Sequence, residues 1–258
     1  MSRFSANTSA HHLHQTLGRV REAGGALRVA WTLALDNEWG TPDFARRHAE
    51  MCNLLVSTIS EIQSLGPVQR DRYMRYVPAW WAAVTMPEQN WGAEQSARHL
   101  ISQENLDMLA TAADLIAGNR AGTAAAPSGN GLDQLKAQCS EWLELLRDLP
   151  GDAVRENLRE ALTSQVLHLI WLIDNADTFG AARVAEEANS FVGALASAGV
   201  DIPESQPAWR GRWTQAAYGL IFALGLFTTG TELATNAIEG GTGLVKEIVQ
   251  TVENANGS

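Results

Sequence analysis

Cysteine is scarce: the chain has only Cys52 and Cys139, far apart in sequence. Two thiols build no disulfide framework in 258 residues, and no Cys-x-x-Cys or Cys/His spacing marks a zinc site. They read as reduced, half-buried thiols acting as small hydrophobes. Lysine is equally rare, since 17 of the 19 basic residues are arginine and only Lys136 and Lys246 are lysine. With abundant alanine, that bias points to GC-rich coding and a bacterial source. Basic charge is also outnumbered, 19 residues against 29 acidic ones, for a net charge of -10. A nucleic-acid interface needs clustered Lys and Arg to displace counterions, so no nucleic-acid partner is expected. The Met1-Ser-Arg-Phe-Ser start lacks the apolar stretch of a secretory signal, and the main body is expected in the cytoplasm. A mean hydropathy of -0.13 excludes a many-pass membrane protein. An apolar share of 45% with 19% charged residues excludes a disordered chain.

Motifs that carry catalysis are missing too. The sequence has no G-x-S-x-G elbow, no H-E-x-x-H, no D-x-D-x-D-G calcium loop and no G-x-G-x-x-G. Gly240-Gly-Thr-Gly-Leu-Val-Lys246 departs from a phosphate loop: its lysine does not follow the last glycine, and no Ser or Thr follows the lysine. His11, His12 and His14 cluster near the start, where a fraying helix end and solvated rings are expected rather than a metal clamp. His48 and Cys52 lie one helical turn apart, but two ligands make no site. His168, among Val166, Leu167, Leu169 and Ile170, reads as a neutral core histidine. Neither a metal nor a cofactor is expected, and no residue is singled out as catalytic.

Helical periodicity is what the sequence does contain. Thr41-Pro42-Asp43 is a strong start signal, combining a capping hydroxyl, a proline at the first helical position and an acid facing the helix dipole. Behind it Phe44, His48, Met51, Leu55, Ile59 and Ile62 recur at three and four, and Gly66-Pro67 is expected to end the helix with a left-handed cap. A second helix is predicted from Ser102 to Gly118. Leu132, Leu135, Cys139, Trp142 and Leu146 form another face. Pro150-Gly-Asp152 is expected to open a helix through Val154, Leu158, Leu162, Val166, Leu169 and Ile173. A further one is expected from about Ala181 to Ala198. Leu27 to Leu35 fits both a strand and a helix period; with no partner strand in view, helix is the reading. The fold expected is all-α: a multi-helix bundle of two modules, residues 1–118 and 132–258, joined by a Gly/Ala/Ser-rich linker over 119–131. The acidity lies in the second half, which holds 17 acidic and 8 basic residues after position 130.

Two segments are candidate interaction sites. Arg70-Asp-Arg72-Tyr73-Met-Arg75-Tyr76 interleaves cations with aromatic rings, and Trp80, Trp81 and Trp91 follow. Nine tryptophans in all, a residue enriched in cores and at contact surfaces, make Arg72, Tyr73, Arg75, Tyr76, Trp80, Trp81 and Trp91 a candidate protein-binding region. The second segment runs from Trp213 to Thr231 without a formal charge. As a helix it would span about 28 Å, near the thickness of a bilayer's hydrocarbon core. Trp209, Arg210, Arg212 and Trp213 stand where interfacial anchors would lie, with Glu232 and Glu239 beyond, an asymmetry that keeps the N-terminal side cytoplasmic. Gly219 and Ala223 make a small-xxx-small pair that admits a second helix, and Leu224 and Phe227 add apolar surface. Gln215 and the threonines dilute the segment, so a core helix explains the same letters. Beyond it, Ala237 to Val252 carries an amphipathic face after Gly240-Gly241.

These features lead to a non-enzymatic helical interaction protein, of the kind a bacterial membrane-perturbing effector represents. Its C-terminal apolar helix, about 213–231, would associate with or insert into membrane, or pair with a second copy. The alternatives are a helical scaffold that binds a protein through the Trp-rich region, and an enzyme whose site no local motif marks.

Overall fold

The structure is a computed structural model that describes residues 8–85, 96–120, 129–151, 153–203 and 205–228. The chain divides into two compact units. One comprises Ala6–Gly122 with Asp177–Ala182, and the other comprises Met1–Ser5, Thr123–Ala176 and Arg183–Ser258. They are called the N-terminal and C-terminal units below. Among the described residues there are twelve helices and no strand, so the fold is all-α.

In the N-terminal unit the helices are α1 (Ser9–Ala23), α2 (Leu27–Leu35), α3 (Pro42–Gln63), α4 (Pro67–Met74), α5 (Val77–Thr85), α6 (Ala97–Leu100) and α7 (Gln103–Arg120). α1 is the central element and packs against α2, α3, α6 and α7. Its stripe Ala10, Leu13, Leu17 and Val20 is buried, a spacing of three and four that seats one helix face in a core. Thr8 caps it: its hydroxyl accepts from the His11 amide at 3.3 Å, while the His11 ring accepts from the Thr8 amide at 3.3 Å. This is a capping box with histidine in the position usually held by Glu or Gln. The N-terminus of α1 is therefore anchored rather than fraying, and His12 is buried rather than solvated.

Leu27 to Leu35 is helical, burying Leu27, Ala30, Trp31, Ala34 and Leu35 along one face. α3 begins as its sequence signal requires, with the Phe44 amide donating to the Thr41 hydroxyl at 3.1 Å and Pro42 in the first turn. Its end differs from expectation. Ser64 in right-handed geometry closes α3, and Gly66, at φ -57, is instead the residue that precedes Pro67 at the first position of α4. Proline's fixed φ starts the next helix here rather than merely stopping the last one. Nor does Gly118 stop α7, which continues to Arg120; one interior glycine costs about 1 kcal/mol, less than tertiary packing supplies.

The C-terminal unit contains α8 (Gly129–Asp148), α9 (Glu156–Asp174), α11 (Ala181–Val200) from Arg183 onward, and α12 (Pro207–Thr228). Between α9 and α11 the short α10 (Ala176–Phe179) lies almost wholly in Asp177–Ala182, which belongs to the N-terminal unit. Leu135, Cys139, Trp142 and Leu146 of α8 are buried, with Leu162, Val166 and Leu169 of α9 and Val184, Ala188, Phe191 and Leu195 of α11. Pro150-Gly-Asp152 does not open α9. The Ala153 amide donates to the Pro150 carbonyl at 3.0 Å in a turn, Ala153 and Val154 are buried, and the helix starts only after Arg155. Of the expected linker, 121–128 lies outside the described residues, and Gly129–Gly131 already belongs to α8.

Candidate functional site

α12 carries the uncharged segment, described as far as Thr228. Its first turns are tied down from within the unit. Trp213 is buried, donates its indole N–H to the Leu195 carbonyl at 3.1 Å, and meets the Trp142 ring edge-on at a centroid distance of 4.8 Å. Gly199 makes room for it: a Cβ there would lie 2.8 Å from the indole nitrogen. The half-buried Arg210 donates to the Ile202 carbonyl at 2.9 Å. Arg212 is exposed, its guanidinium 4.3 Å from the centroid of the Trp209 ring, so cation and indole form one unit at the helix start.

Further along, α12 lies along α8. Leu220, Ala223, Leu224 and Phe227 are buried. Gly131 of α8 backs onto the Phe227 main chain, where a Cβ would come within 2.8 Å of Cα. Gly219 faces Gln138, whose Oε1 a Cβ would approach to 2.1 Å. The close approach that this small residue permits is therefore made to α8 of the same unit.

The opposite face is open. Gly211, Gln215, Tyr218 and Phe222 recur at four, three and four along it. Tyr218 is 38% exposed and Phe222 69%. These two rings are the outward apolar groups of α12, and the sequence pattern alone did not single them out. Once Trp213, Leu220, Leu224 and Phe227 are taken as the inward stripe, the 3.6-residue repeat places positions 215, 218 and 222 outside, which is the signal that finds them. Among the described residues no helix is long and apolar enough to cross a membrane. Thr229 to Thr231 and the amphipathic segment beyond lie outside the described residues.

The Trp-rich region of the N-terminal unit divides differently. Tyr73 and Trp80 are buried; Trp80 donates to the Asn105 carbonyl at 2.9 Å and stacks with Tyr76 at 6.1 Å. Arg72 and Arg75 are exposed, and Arg70 pairs with Asp71 at 3.3 Å. Trp81, 43% exposed, is the ring that reaches the surface, and Trp91 lies outside the described residues.

Burial dominates the titratable groups. His12 is held down to about 4, first by desolvation and then by the neighbouring His11. Desolvation also lowers His48, whose Nε2 lies 2.9 Å from the Val84 carbonyl and whose ring stacks on Phe44. The Cys52 thiol is raised by burial and that of Cys139 is pushed up to about 12. His168 is half-buried and stacks on Trp171 at 5.7 Å. Among the described residues no three His, Cys, Asp or Glu side chains converge in a way that could hold a metal ion. No protein-family model, no curated protein and no solved structure matches this chain.

Proposed function

We propose that this chain is a non-catalytic helical interaction protein whose α12 associates with a membrane surface, as a bacterial membrane-directed effector would. The observation that carries the reading is Phe222, 69% exposed beside Tyr218 on a helix free of charge from Trp213 to Thr228. Trp209 and Arg212 at the start of α12 supply the aromatic and cationic groups that sit well at a lipid headgroup boundary.

Magnitudes select the form of association. Inserting α12 would strip Trp213, Leu220, Leu224 and Phe227 from the core of the unit. At about 1.5–3 kcal/mol per large side chain, that opposes insertion by roughly 6–12 kcal/mol. Lipid would take up the freed side chains themselves, but the matching apolar surface of α8 and α11 that they cover would be left facing water, a loss that insertion does not return. Contact through the outer face leaves the core intact and submerges Phe222 for about 1.5–3 kcal/mol. Such binding is reversible, and it resists salt because its main term is apolar.

The test is flotation of the full chain with phosphatidylcholine vesicles, with and without an added anionic lipid. The protein is expected to float in 0.5 M salt, and Phe222→Ser to float roughly tenfold less, the factor that 1.4 kcal/mol represents. Equal flotation of the two proteins, or none by either, rules the reading out. A second reading, a scaffold that binds a protein partner through the N-terminal unit, is supported by the exposed Trp81. It requires Trp81→Ala to lose a partner while the fold is retained.

A further inference from the structure

Asp177–Ala182 belongs to the N-terminal unit, although the chain on either side of it belongs to the C-terminal one. His12 of α1 receives this segment. Phe179 and Gly180 are buried, and Gly180 adopts φ +89, a backbone state that L side chains rarely take. A Cβ at Gly180 would stand 2.6 Å from Cδ2 and 2.7 Å from Nε2 of His12, so the imidazole packs directly on the glycine backbone. His12 is 4% exposed, and its Nδ1 has no hydrogen-bond partner among the described residues. The groups that act on its charge are His11 on the same helix, which opposes protonation, and Asp177 and the Thr178 backbone from the segment, which favour it. Asp114 of α7 is taken by His11, at 3.2 Å. Asp107 of α7, with Asp114, bears on His14.

We propose that His12 and Gly180 form an acid-opened clasp, in which protonation of the buried imidazole releases Asp177–Ala182 from the N-terminal unit. A neutral ring fits against the glycine backbone. A charged one, desolvated and with one nitrogen unpartnered, does not. In the closed state burial keeps the group down to about 4, whereas a released ring returns towards its ordinary value near 6.5. Between those values the open state takes up a proton that the closed state does not. The open-to-closed ratio therefore rises by up to tenfold per pH unit as pH falls, and by roughly 300-fold across the whole range. The release frees the connection between α9 and α11, and the inference stands independently of the membrane reading.

Amide hydrogen exchange of the full chain at pH 7.5, 6.5 and 5.5, corrected for intrinsic exchange rates, tests this. Amides 178–182 are expected to lose protection by up to tenfold per unit below pH 6.5. His12→Gln should abolish that pH dependence and His11→Gln should retain it. Gly180→Ala, which strains the backbone and collides with the ring, should expose the segment already at pH 7.5. Unchanged protection of the segment between pH 7.5 and 5.5, or the same loss in His12→Gln, overturns the clasp. Should His12→Gln fail to fold, an NMR titration of the His12 ring in the unaltered protein decides. A midpoint near 6.5 with the segment still protected overturns the proposal, and a depressed midpoint with loss of protection supports it.

Discussion

Trp213 meets Trp142 edge-on, with ring centroids 4.8 Å apart and planes at 83°. The Trp142 ring in turn meets Phe191 at 6.1 Å and 81°. This chain of rings joins α12, α8 and α11, and the Trp213 indole N–H closes it on the Leu195 carbonyl. Trp213→Ala is expected to destabilise the protein by about 3–5 kcal/mol, the usual cost of deleting a buried indole. Trp213→Phe keeps much of the packing but loses the hydrogen bond to the Leu195 carbonyl, for about 0.5–1.5 kcal/mol. Urea unfolding followed by circular dichroism measures both, and the order Ala worse than Phe is the expected outcome.

Two glycines line the α8–α12 contact and should respond unequally. A methyl group at Gly131 meets the main chain of Phe227, so α12 must shift; Gly131→Ala should cost about 1–3 kcal/mol. At Gly219 the obstacle is the end of the Gln138 side chain, which also donates to Glu141 at 3.0 Å. That side chain can turn away, and an alanine in a helix interior recovers about 1 kcal/mol relative to glycine. Gly219→Ala should therefore lie within about 1 kcal/mol of the unaltered protein. Paired unfolding curves distinguish the two positions.

Acid should weaken the N-terminal unit through its buried histidines. His12 and His48 both sit below their ordinary value because burial penalises the charged ring. The unfolded chain then binds more protons than the folded one below pH 6.5. Stability is full above that pH and falls as pH drops towards about 4, where His12 titrates in the fold. For His12 the swing is about 3 kcal/mol, because keeping the folded ring neutral while the unfolded one is charged costs about 1.4 kcal/mol for every pH unit crossed. His48→Gln, whose amide can still reach the Val84 carbonyl, should show a shallower loss of urea midpoint between pH 7 and pH 5 than the unaltered protein.

Long amphipathic helices were legible because their buried stripes repeat faithfully, as Phe44, Met51, Leu55 and Ile62 do in α3. Punctuation was less so. Gly66-Pro67 and Pro150-Gly151 contain the same residue types, yet one opens a helix and the other sits in a turn. The difference is set by where Leu65 and Ala153 find burial, which is tertiary information. The burial of His12 is hidden in the sequence for a related reason: histidines one and two positions apart look like a polar run until the Ala10, Leu13, Leu17 stripe fixes which of them turns inward. The return of Asp177–Ala182 to the N-terminal unit depends on contacts nearly 170 positions apart in the chain, and no local pattern encodes it. On α12, composition revealed an apolar segment but not its orientation, because glycine and alanine tolerate either face.

Orientation at a bilayer is the central claim, and a nitroxide on the outer face of α12 reads it directly. In a Phe222→Cys variant that also carries Cys52→Ala, the new thiol is the exposed one, since Cys52 is only half-buried and Cys139 is buried. With phosphatidylcholine vesicles present, a label at position 222 should gain collisions with dissolved oxygen and lose them with an aqueous nickel complex. A label introduced through Gln215→Cys, nearer the charged start of α12, should change less. If the label at position 222 remains as open to the nickel complex with vesicles as without them, the outward face of α12 does not meet lipid and the account is contradicted.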